Sequence, residues 1–87
     1  MYLLEVTASC KSSIRKKCRK NKPLEEALKK KINQILENPQ MFKPLCAPLE
    51  NARRVHVLGS FVLIYGVDEK RKTVLLLKFA HHDEAYG

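Results

Sequence analysis

At 87 residues and a formal net charge of +8, the chain has room for one small domain with a single modest core, expected over residues 1–87. No apolar run is long enough to span a bilayer, and Met1-Tyr2-Leu3-Leu4-Glu5 lacks the basic start and long apolar middle of a signal peptide, so a cytoplasmic chain with no membrane partner is expected. Three cysteines, an odd number, argue against a disulfide framework; Cys10 and Cys18 fall eight residues apart on one expected helix, and with Cys46 they read as small apolar residues.

In chain order, residues 2–8 suit a strand, and Ser9 is placed to cap a helix carrying Cys10, Ile14 and Cys18 at a spacing of four. Pro23 opens a second helix on which Leu24, Leu28, Ile32, Ile35 and Leu36 form one apolar stripe, with Glu25–Lys29 and Glu26–Lys30 as i,i+4 pairs on the wet side. Asn38-Pro39 ends it, and the Pro-punctuated stretch 39–49 reads as a loop. Residues 53–58, 60–67 and 73–79 are short and rich in Val, Leu, Ile and aromatics, separated by Gly59-Ser60 and by Asp68-Glu69-Lys70-Arg71-Lys72. Such short links force an antiparallel meander, since parallel pairing needs a long crossover. The expected class is α+β in the order β-α-α-β-β-β, with the helical hairpin packed on one face of the sheet and the other face left open.

Charge is unevenly spread. Between Lys11 and Lys31 ten basic residues face only Glu25 and Glu26, which accounts for the whole +8. A positive field of this kind draws polyanions, nucleic acid above all; a solvated helix face or an acidic protein partner are the other readings.

In a meander the end of the first strand, the start of the second and the end of the third lie at one edge, so His56, Ser60 and His82 are expected to gather. Period-2 alternation sets Arg54 and His56 on one face and Val55 and Val57 on the other. His81 is read as a solvent-facing neighbour. Two adjacent histidines with Asp83, and Cys46 in a distant loop, do not have the ligand spacing of a zinc site, so no metal and no cofactor are expected.

The run His56-Val57-Leu58-Gly59-Ser60-Phe61-Val62-Leu63-Ile64-Tyr65, with the tail His82-Asp83-Glu84-Ala85-Tyr86-Gly87, closely resembles the C-terminal half of the RelE/ParE toxin superfamily, in particular its YafQ-like and RelE branch. The element order agrees with that fold. The resemblance implies the toxin of a type II toxin-antitoxin system, an mRNA interferase that cuts messenger RNA in the ribosomal A site against ribosomal RNA. It also implies a cognate antitoxin, in a heterotetramer or larger assembly. Position by position, His56 matches a strand histidine, His82 the tail histidine, Tyr86 the tail aromatic or tyrosine, and Arg54 a basic strand residue. Ser60 stands where the YafQ-like branch has aspartate, while Val62 and Ala80 replace arginines that RelE uses.

The chemistry so implied is attack of a 2′-hydroxyl on the adjacent phosphorus with loss of the 5′-oxygen. It needs a base, an acid and positive charge at the phosphorane. Histidine suits both proton roles, so His56 and His82 are assigned as the acid-base pair, without dividing the roles. Arg54 and Arg53 are expected to supply charge, and Tyr86 to stack on a base, bond a phosphate or anchor the tail. Arg53, Ser60, Lys78 and His81 complete the expected substrate-binding surface. Two other classes stay open: a ParE-like toxin of DNA gyrase, for which the missing arginines leave room, and a non-catalytic nucleic-acid-binding module gripping phosphate through its helices.

Overall fold

The computed structural model describes residues 1–42 and 52–83; Cys46 and Tyr86 lie outside them. The elements are β1 (Leu3–Val6), α1 (Ala8–Cys18), α2 (Lys22–Glu37), a 3-10 turn (Pro39–Met41), β2 (Ala52–Val57), β3 (Phe61–Asp68) and β4 (Thr73–His81). The first strand is shorter than expected because Thr7, not Ser9, caps α1: its side chain accepts from the Cys10 N–H, which starts the helix two residues early. Asn21 caps α2 through the Leu24 N–H, and Pro23 sits in the first turn, where a missing N–H costs nothing. Of the two expected pairs on α2, Glu25 and Lys29 meet at 3.5 Å.

The three later strands form the expected meander, and β1 joins it in parallel along β4, giving the order β1-β4-β3-β2. Both helices lie on one face. Cys10, Cys18, Leu24, Leu28 and Ile35 pack there against Val55, Val57, Leu63, Tyr65, Val74, Leu76 and Phe79. The Tyr65 hydroxyl donates to the Pro39 carbonyl at 2.8 Å, so the one polar group of that large buried ring is satisfied. Burial pushes the Cys10 thiol up to about 11 and raises that of Cys18, as expected for thiols serving as apolar filling.

One irregularity decides what β4 presents. Ile64 pairs with Lys78 but Tyr65 pairs with Leu76, so Leu77 is an extra residue, a β-bulge. Before it Val74 and Leu76 face the helices; after it Phe79 does, and Lys78 and Ala80 turn to the opposite face. Thr7 holds the bulge from β1, with its N–H donating to the Leu76 carbonyl at 3.1 Å and its Oγ1 to the Leu77 carbonyl at 3.4 Å.

Candidate active site

On the face away from the helices two cross-strand rows lie side by side. His56, Val62 and Ala80 are register partners in one row; Arg54, Ile64 and Lys78 are partners in the next. Val62 is 1% and Ala80 5% exposed, so they form a closed apolar floor, whereas His56 and Lys78 stand out into solvent.

The hairpin after β2 brings the second histidine in. Leu58 and Gly59 both adopt positive φ, +53° and +72°, which turns the chain sharply before Phe61. The Ser60 carbonyl then accepts the His82 N–H at 2.7 Å. His82 is thereby set with its ring stacked on that of His56, centroids 5.7 Å apart and planes 24° from parallel. His56, Ser60 and His82 thus gather at one end of the sheet. Asp83 reaches the same ring at the margin of contact, its Oδ1 3.9 Å from His82 Nδ1. Two exposed imidazoles over an apolar floor can accept a proton at one nitrogen and deliver one from another.

Other expected site residues are placed differently. Arg53 alternates onto the helix side, where its guanidinium donates to the Phe42 carbonyl at 2.7 Å and to Gln40 Oε1. It braces the chain after α2 and stands apart from the histidines, a correction to its expected role in supplying charge to substrate. His81 shares the row of Phe61 and lays its ring edge-on to that phenyl, 5.5 Å away at 76°, so it is a packing neighbour on the other face and not a purely solvent-facing one. Ser60 sits in the exposed turn and acts on His82 through its main chain. Simple alternation along β4 gives no reason for Lys78 to share the histidine face; the mark of the shift in the sequence is Phe79, a core-sized ring out of phase with Val74 and Leu76. Among the described residues, no three of His, Cys, Asp and Glu gather to hold a metal ion.

The dense basic segment lies elsewhere. Of the ten between Lys11 and Lys31, eight are exposed and Lys17 and Lys31 half-buried, all on or between the two helices. Between α1 and α2 a groove of about 440 Å³ has an apolar floor of Ile14, Cys18, Leu28 and Ile32 and a rim of Arg15, Arg19 and the ion-paired Lys29 and Glu25. The molecule therefore has two unlike faces, a cationic helical back and a histidine-bearing sheet front. No helix among the described residues is long and apolar enough to cross a membrane.

Residues 8–86 match the sequence model of the ParE toxin of the type II toxin-antitoxin system parDE. The chain belongs to this family, within the RelE/ParE toxin superfamily. A Methanocaldococcus jannaschii protein named "Putative toxin RelE4" is 40% identical over 86 residues, spanning 99% of this chain and 92% of that one. Toxins of this superfamily share the fold seen here at much lower identity. The Escherichia coli RelBE toxin-antitoxin complex contains a chain that superposes with a TM-score of 0.79 at 21% identity, over 92% of this chain and 95% of that one. Escherichia coli YafQ does so with a TM-score of 0.74 at 17% identity over the full length of both.

Proposed function

We infer that this toxin is a metal-independent endoribonuclease that cuts messenger RNA on the ribosome, with His56 and His82 as its proton-transferring pair. The stacked histidine rings, 5.7 Å apart, carry the reading. One imidazole removes the 2′ proton and the other protonates the leaving 5′-oxygen, while Arg54 and Lys78, in the adjacent cross-strand row, offer positive charge to the RNA backbone. Tyr86, outside the described residues, is assigned to the same site by the family resemblance alone. The cationic back of α1 and α2 suits ribosomal RNA, since phosphate contacts position a protein without reading sequence.

An antitoxin partner, such as the RelBE complex contains, fits the same chain. The groove between α1 and α2, apolar within and carrying Arg15 and Arg19 beside the Glu25–Lys29 pair at its rim, suits an acidic amphipathic segment that folds as it binds.

The test is a defined message on purified ribosomes, incubated with the wild-type chain or with His82→Ala, and the RNA ends mapped by primer extension. Cuts in the A site that vanish in the variant support the reading. Intact message under arrested growth overturns it and favours a gyrase poison, a reading that the apolar Val62 and Ala80 keep in view.

A further inference from the structure

We propose that Lys78 and Arg54 form a phosphate subsite beside the histidine pair, which holds the backbone phosphate next to the one cleaved. The proposal rests on the endoribonuclease reading and adds to it a second point of contact with the RNA.

Three observations lead there. First, Lys78 is on this face only because of the bulge. Strict alternation from Val74 and Leu76 sends residue 78 toward the helices, and the unpaired Leu77 reverses the phase. Bulges beside sites commonly re-aim one side chain in this way. Here the bulge is built in, because Thr7 takes both of its carbonyls while also capping α1.

Second, Lys78 and Arg54 are the two ends of one row, with Ile64 between them. Their Cα atoms are two strand spacings apart, roughly 10 Å, so two long side chains can close over Ile64 onto one anion. Third, this row lies one two-residue step, about 6.7 Å, from the row of His56, Val62 and Ala80, which is the scale of one nucleotide's backbone. The histidine row itself has apolar Val62 and Ala80 where a cation is otherwise expected. Fixed positive charge on this face is thus displaced from the cleaved linkage to its neighbour. Arg54 and Lys78 then act mainly in binding and register, and the histidines in bond breaking.

The experiment uses the full chain carrying His82→Ala, so that RNA is bound but not cut. Affinity for a short single-stranded RNA is measured by fluorescence anisotropy across a salt series, with and without Lys78→Ala or Lys78→Arg. Removing one phosphate contact lowers the slope of log affinity against log salt by about 0.7 for a single strand. Lys78→Ala is expected to show that loss and Lys78→Arg to retain the parent slope.

A companion set of RNAs carries one neutral methylphosphonate at successive linkages. One linkage flanking the cut is expected to weaken binding to the parent but not to Lys78→Ala. An unchanged slope, a linkage penalty that survives in Lys78→Ala, or no RNA binding by the parent overturns the subsite. Cleavage of programmed message by the wild-type chain is scored separately. Intact message with a reduced slope in Lys78→Ala removes the nuclease reading and leaves the phosphate subsite standing.

Discussion

The backbone N–H of His82 is bonded to the carbonyl of Ser60 at 2.7 Å, so the residue following β4 is tied to the turn between β2 and β3. The tie is main chain to main chain. It sets His82 against His56 without calling on the Ser60 hydroxyl. Ser60→Ala is therefore expected to cleave ribosome-bound message within a few-fold of wild type, whereas His56→Ala and His82→Ala each lose about 10²-fold or more, the scale of a general acid or base. Primer extension on programmed ribosomes measures all three. Loss of cleavage in Ser60→Ala would assign the hydroxyl a direct part.

Neighbouring arginines on β2 should separate by phenotype. Arg53 is bonded to Phe42 and Gln40, so Arg53→Ala is expected to cost about 1–2 kcal/mol of stability, read by urea denaturation. Arg54→Ala is expected to weaken RNA binding more than it weakens the fold. The reverse pattern would exchange their roles.

Thr7 connects β1, α1 and the bulge. Thr7→Val keeps the shape and removes the hydroxyl, so it is expected to destabilise by about 1–2 kcal/mol, the usual range for a lost cap. Amide exchange at Leu77 and Lys78 should accelerate beyond what the overall loss of stability explains. Uniform acceleration along β4 would mean that the bulge stands without Thr7.

Leu58 holds φ of +53° and is 53% exposed, so it bears backbone strain without compensating burial. Leu58→Asn is expected to raise stability by about 0.5–1 kcal/mol, because Asn tolerates this region better. Thermal melts at equal concentration decide the matter.

Alkaline pH should loosen the core. Burial raises the Tyr65 hydroxyl from 10.0 to about 12, against a smaller opposing pull from Arg53, and raises the Cys10 thiol from 9.0 to about 11. Both groups stay protonated in the fold at pH values where the unfolded chain releases its protons. Their contribution is whole below pH 9, shrinks from there upward, and is gone by about 12. Denaturant midpoints measured from pH 8 to 11 should fall, and less steeply in Cys10→Ala at the lower end of that range. A flat profile would contradict the buried placement of these groups.

Much of this architecture is legible in the residues. The stripe from Leu24 to Leu36 and the three apolar runs after Arg53 announce a helix and a meander, because each follows one clean period. The short links then force His56, Ser60 and His82 together. What escapes is what depends on partners distant in sequence. Nothing in residues 2–8 tells that β1 pairs with β4 in parallel, nor that Thr7 will outcompete Ser9 as the cap, since the advantage of Thr7 includes contacts with Leu76 and Leu77. Arg53 misleads for a related reason. An arginine three residues before a histidine looks functional until the segment after α2 supplies it with two acceptors.

Leu3 through Val6 find their partners only at Thr73 through Leu76. A growing chain thus carries an unmatched first strand until most of the domain has been made, and such long-range closure is slow. His82 comes later still. Under the reading proposed above, the proton-transferring pair is therefore assembled last, once the residue after β4 is tied to the β2–β3 turn. The unfinished sheet also offers a partner made at the same time an interval in which to bind before the two histidines meet.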